Sequence, residues 1–88
     1  PFITCGRDYE TAQATWVRIL SRRYNQDFGP LARKYGIIGT PPQCVEQLQA
    51  FVAAGCRYFV LGLIAEPEQQ RAQLEVVAAE VLPHLKSP

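Results

Sequence analysis

Eighty-eight residues suffice for one small domain, and with 48% apolar and 19% charged residues the chain is neither disordered nor a polyelectrolyte. Nine basic residues nearly balance eight acidic ones, for a formal net charge of +1, and the basic pairs Arg22-Arg23 and Arg33-Lys34 stand apart, which argues against nucleic acid as a partner. The longest apolar run, Tyr58 to Leu61 with Leu63 and Ile64 just beyond, falls far short of the roughly 20 residues that span a bilayer, so no membrane segment is expected.

The opening "PFITC" is a short β-branched and aromatic run closed by Gly6, which predicts a strand. Asp8 is placed to cap a following helix, because its carboxylate can accept from the free amides of the first turn. Tyr9, Ala12, Trp16, Leu20 and Tyr24, with Val17 alongside, recur at helical spacing and predict one buried stripe, with Arg18, Arg22 and Arg23 turned away from it. A shorter helix is expected from Pro30 to Tyr35, ended by Gly36 in a left-handed conformation. The next helix is better marked. The Thr40 hydroxyl can cap the amide of Gln43, whose side chain can reach back, and Pro41 at the first helical position forfeits no hydrogen bond.

Cys44, Val45, Leu48, Phe51, Val52 and Gly55 mark one face of that helix, with Gly55 as its stop. "RYFVLGLI" then has consecutive apolar residues, the pattern of a parallel strand buried on both faces. A last helix is predicted from Pro67, with Glu66 and Glu68 near its positive end and Leu74, Val77, Ala78, Val81, Leu82 and Leu85 as its buried stripe, ended or kinked by Pro83. The resulting order is β-α-α-α-β-α, an α/β unit with parallel strands and right-handed helical crossovers. Two such strands would keep both edges open, which suggests part of a larger sheet or barrel. The absence of methionine and the start at Pro1 point the same way.

The N-terminus has no basic region leading into an apolar one, so it does not read as a secretory signal. Cys5, Cys44 and Cys56 are odd in number and follow no C-x-x-C spacing, which fits reduced thiols in a cytoplasmic setting and no metal site.

The segment "RYNQDFGPLARKYGIIGTPPQCVEQLQAFVAAGCRYFVL", Arg23 to Leu61, with "EVLPHL" from Glu80 to Leu85 and "DYETA" near the start, resembles the C-terminal end of the bacterial luciferase-like flavin-dependent monooxygenases. The likeness lies in a Gly-Thr-Pro turn, a helix with Val and Leu at this spacing, Ala-Gly, an apolar strand and a closing helix with Val-Leu-Pro. Gln43 stands where glutamate is frequent. The resemblance implies a C-terminal fragment of a TIM-type (β/α)8 barrel, which typically needs about 250 residues, the present 88 supplying its last two strands and flanking helices. It implies reduced FMN, or the deazaflavin F420 in some branches, acting on a small organic substrate by oxygen addition to the flavin or by hydride transfer, in a homo-oligomeric parent. It also implies that the flavin-phosphate segment and catalytic residues lie upstream of this chain, leaving the isolated segment inactive and with no catalytic residue of its own.

On a barrel the reactive face lies at the carboxyl ends of the strands, which selects the loops Cys5 to Tyr9 and Gly62 to Pro67. Within them Gly62 is a candidate for close backbone approach to a flavin ring and Arg7 for a phosphate or an anionic substrate. Against these stand plainer roles, relief of crowding at Gly62 and a solvated loop charge at Arg7. Phosphate binding at Gly39 and Thr40 is open to a helix start, but "GIIGT" matches neither the P-loop nor the dinucleotide-binding turn, and simple capping is the stronger expectation. His84 is expected exposed, Cys44 and Cys56 in the core, Cys5 at a strand end as the best-placed thiol, and Glu66 with Glu68 as first-turn acids rather than a catalytic pair. The reading from a different functional class is a small non-catalytic α/β interaction module that covers its open edges by self-association.

Overall fold

A computed structural model describes residues 1–56 and 60–86. The described residues are mixed α/β, with a small parallel three-stranded sheet and four helices. Strand β1 (Phe2–Cys5) leads to helix α1 (Tyr9–Tyr24), a 3-10 turn (Gly29–Leu31) runs into the single turn α2 (Ala32–Tyr35), and β2 (Gly36–Gly39) precedes α3 (Pro41–Ala53). Strand β3 (Gly62–Leu63) is followed by a 3-10 turn (Pro67–Gln69), α4 (Gln70–Val76), a π turn (Val77–Val81) and a closing 3-10 turn (Leu82–His84). The order is therefore β-α-α-β-α-β-α, not β-α-α-α-β-α.

The missed strand is "GIIG". Gly36 is not a left-handed stop: its φ of −84° and ψ of 141° are extended, and it opens β2 in register with Phe2. The left-handed helix end lies earlier, at Asn25 (φ 53°), whose amide donates to Ser21 O at the end of α1. Gly55, at φ 100°, does follow the end of α3 as expected.

Both partners of β1 run parallel to it, Ile3 opposite Ile37 on one side and Leu63 on the other, so the strand order is β2-β1-β3. Alternate residues of β1 feed two separate cores. Ile3 and Cys5 join Ile37, Cys44, Leu48, Val77 and Val81 beneath α3 and the last helix. On the opposite face Ile38 and Ile64 meet Ala12, Trp16, Ile19, Leu20 and Ala32 from α1 and α2. Helices thus cover both faces of the sheet, which is how a parallel sheet escapes water. Burying a side chain such as Leu20 or Ile38 stabilises by about 1.5–3 kcal/mol.

The Asp8 cap forms as expected, accepting from Thr11 N at 2.7 Å. Trp16 is buried and its Nε1 donates to Phe2 O at 3.1 Å, so the indole satisfies its one donor inside the core. Tyr24, expected in the stripe, is half exposed and instead stacks on Phe28, which meets Trp16 edge-on. Ile19 takes the buried place in its stead.

Two further corrections concern the C-terminal half. Residues 57–59 of the predicted strand "RYFVLGLI" lie outside the described residues, and in the rest only Gly62 and Leu63 are strand, with Val60 exposed. In the last helix Val77 and Val81 are buried, but Leu74, Ala78 and Leu82 are exposed. The reason is rotational. The inward face is centred on Gln73, Val77 and Val81, spaced by four, because Gln73 is drawn to the end of β1, and Leu74 and Leu82 each sit one position further round.

Among the described residues no helix is long and apolar enough to cross a membrane.

Candidate functional site

A cleft opens beyond β1 and β3, where the loops after these strands meet α1 and α4. Thr4, Cys5, Gly6, Arg18, Glu66 and Gln73 are among its lining residues, and its volume is about 220 Å³. Sequence elements deliver each of them. β1 ends at Cys5, Gly6 N donates to Gly39 O as the chain leaves the sheet, and Asp8 then turns the chain into α1. Ile64 follows β3 and its amide donates to Ile3 O, and Glu66 precedes the turn into α4.

Gln73 plugs the crevice between the two strands. Its Oε1 accepts from Cys5 N at 3.0 Å and its Nε2 donates to Cys5 O, so one side chain makes the two bonds that a continuing β3 would have made. Thr4 is the one buried polar residue of the strand, and its hydroxyl donates to Ile64 O at 2.6 Å. Glu66 stands between Arg18 and Arg22, 3.4 Å from each. These pairs are substantially exposed and worth at most about 1 kcal/mol each. Glu68 lies on the exposed 3-10 turn and is not among the residues lining the cleft.

Cys5 lines the cleft, and a second thiol lies behind it. Cys5 Sγ lies 3.3 Å from Cys44 Sγ on the first turn of α3, and Cys44 Sγ is 3.7 Å from Gly39 O. Both are buried, and none of the three cysteines is in a disulfide. The hydrogen bond between the thiols favours the ionised form of Cys5, holding it below the usual thiol range although burial and the Glu80 carboxylate oppose this. The same bond, and then burial, hold Cys44 far above that range.

The other candidates are scattered. Gly62 starts β3 opposite Phe2, and a Cβ there would approach the Phe2 ring to 2.7 Å, so its lack of a side chain serves packing. Arg7 is exposed beyond the other end of β1. Along the strand axis the two are separated by about five residues, roughly 15 Å, and neither lines the cleft. The cleft's 220 Å³ is below the roughly 300–1,000 Å³ of small-molecule sites. Gly39 and Thr40 form a closed cap: Thr40 Oγ1 accepts from Gln43 N at 3.4 Å and Gln43 Oε1 accepts from Thr40 N at 2.9 Å. Gly39 is at φ 132°, and a Cβ would collide with the Gln43 side chain. His84 is exposed on a separate groove with Pro41, Pro42, Val45 and Glu80.

No protein family, curated protein or solved structure matches the chain.

Sequence reasoning missed Gln73 and Gln47. Gln47, on α3, receives Ile38 N at 2.9 Å and donates to Ile38 O at 2.6 Å along the outer edge of β2. Glutamine at a helix position reads as solvated surface, and only the fold brings it to a strand edge. The available signal was compositional: "QCVEQLQ" and "PEQQRAQ" spend uncharged amides where charged surface residues would serve solubility as well.

Proposed function

We propose that the chain is the C-terminal segment of a luciferase-like flavin-dependent oxidoreductase, cytoplasmic and homo-oligomeric, that uses FMN or F420 on a small organic substrate. The observation that carries this reading is where the resembling motifs fall. "GTPP" lies at the junction of β2 and α3, with Thr40 as the cap and Pro41 in the first turn, and the Ala-Gly pair, Ala54 and Gly55, follows directly at the other end of α3. The motifs thus bracket one strand-helix unit of a parallel α/β protein, the repeating unit of a barrel. In that reading the segment closes the barrel, and the flavin is held by residues upstream.

A barrel wound in one direction places each strand beside the one before it. Here β3 pairs with β1, and Gln47 occupies the free side of β2. Assembly of the parent would therefore seat a strand beside Ile38 in place of Gln47. The test is titration of the full natural chain with FMN and with F420, followed by absorbance and fluorescence. Tight binding of either cofactor supports the proposal, and binding of neither overturns it.

The strand order favours a second reading, an α/β interaction module that self-associates. A sheet ordered β2-β1-β3 with helices on both faces is covered as a free-standing unit would be, and the radius of gyration, 12.4 Å, is close to the ~12 Å of a compact domain of this length. Val60, Leu74 and Leu82 are exposed apolar residues. Sedimentation of residues 1–88 separates the readings: a cooperatively folded oligomer supports the module, and a chain that fails to fold alone supports the barrel segment.

A further inference from the structure

We infer that Cys5 and Cys44 form a peroxide-responsive thiol pair, with Cys5 the attacking thiol and Cys44 the resolving one, closing reversibly to a disulfide between the end of β1 and the first turn of α3. This is independent of any flavin chemistry of the parent protein.

Three observations converge on it. The sulfur atoms are 3.3 Å apart, so closure to the ~2.05 Å of a disulfide needs a further approach of roughly 1.3 Å, within reach of side-chain rotation and small backbone shifts. The two thiols share one core cluster but differ in access: Cys5 lines the cleft and is 4% exposed, and Cys44 has no exposed surface. A small oxidant entering the cleft meets Cys5 first. The third cysteine, Cys56, belongs to neither the cleft nor the sulfur pair, which gives the chemistry an internal comparison.

The electrostatics agree with the geometry. The contact with Cys44 favours the ionised form of Cys5, and the thiolate is the nucleophile. Glu80 adds negative charge nearby, so a neutral hydroperoxide fits better than an anionic oxidant. The Cys5 thiolate attacks the O–O bond of hydrogen peroxide, giving a sulfenic acid and hydroxide, which takes up the proton lost on ionisation to become water. The Cys44 sulfur then attacks the sulfenic sulfur, its proton leaves with the hydroxyl group as a second water, and the S–S bond forms. Two thiols are oxidised by two electrons and one peroxide is reduced to two waters.

The test uses the full natural chain, reduced, exposed to hydrogen peroxide, blocked with iodoacetamide and digested with trypsin and a glutamate-specific protease without reductant. The second protease is needed because cleavage after Glu46 separates Cys44 from Cys56. The expected product joins the peptide ending at Arg7 to Tyr35–Glu46, two hydrogens lighter than their sum, with Cys56 alkylated and the link lost on adding dithiothreitol. In Cys44→Ser, Cys5 is expected to accumulate a dimedone adduct. Oxidation of Cys56 while Cys5 and Cys44 both remain alkylated overturns the proposal, as does oxidation of Cys5 in the natural chain without the link. The wild-type digestion decides the matter even if the variant fails to fold.

Discussion

Gln47 makes both hydrogen bonds of its amide to one residue, Ile38, receiving its N–H and donating to its carbonyl on the outer edge of β2. An open edge of a parallel sheet invites a neighbouring chain, and this side chain occupies one of its pairing positions. Gln47→Ala should lower unfolding free energy by about 1–3 kcal/mol, the cost of leaving part-buried backbone groups unmet. Urea denaturation measures the loss, and sedimentation should show more self-association than in the natural chain. Unchanged stability would mean that water replaces the amide without penalty.

The capping box at Thr40 and Gln43 should be separable from any ligand role. Thr40→Ala is expected to destabilise by about 1 kcal/mol and Thr40→Ser by much less, because serine keeps the capping oxygen. Thermal unfolding in the presence and absence of inorganic phosphate checks this. A phosphate-dependent rise in Tm that Thr40→Ala abolishes would contradict a purely structural cap.

Two glycines at positive φ should respond differently to alanine. Gly39, at φ 132°, meets the Gln43 side chain as well as backbone strain, whereas Gly55, at φ 100°, has open space around it. Gly39→Ala should therefore cost more than the roughly 1–3 kcal/mol of backbone strain alone, and Gly55→Ala no more than that strain. A reversed order in chemical denaturation would show that the Gly39 turn relaxes.

Trp16 is the only tryptophan and lies in the core between the sheet and Phe28, so it reports on packing directly. Native fluorescence should be blue-shifted and should move to the red in a single transition on unfolding. Trp16→Ala should cost about 3–5 kcal/mol. Trp16→Phe should cost less, retaining most of the ring but losing the bond to Phe2 O.

At acid pH the Asp8 cap should fail. Its bonds to Thr11 and the nearby Arg7 charge hold the carboxyl below its ordinary 3.8. A group depressed in the folded state contributes stability that is present above its unfolded value and lost as pH falls through the lower folded value. Between pH 6 and pH 2, Asp8→Asn should flatten the acid limb of the Tm profile while keeping a capping oxygen. An identical acid limb would assign the loss to other carboxylates.

What the sequence disclosed was chemistry settled within a few residues. Asp8 to Thr11 and Thr40 to Gln43 are contacts three residues apart, and Trp16 sits on a stripe of regular period, so each could be read directly. The strand β2 was hidden because four residues framed by glycines imitate a helix end, and its evidence is pairing with Phe2–Cys5 more than thirty residues away. The cleft was half visible. Cys5 and the loop after it were singled out by position, but the sulfur of Cys44 and the amide of Gln73 come against Cys5 only through strand order and helix rotation, which local pattern does not encode.

The glutamines recur as a set: Gln47 on Ile38, Gln73 on Cys5, and Gln49, which accepts from Lys86 N and donates to Lys86 O. At the first two positions an incoming strand would find no vacant rung. It must evict an amide that already makes the same two bonds, so joining there is an exchange of equals rather than a gain. Hydrogen bonding at those rungs then contributes almost nothing to the choice of neighbour. That choice is left to the apolar side chains flanking them, and it can be reversed.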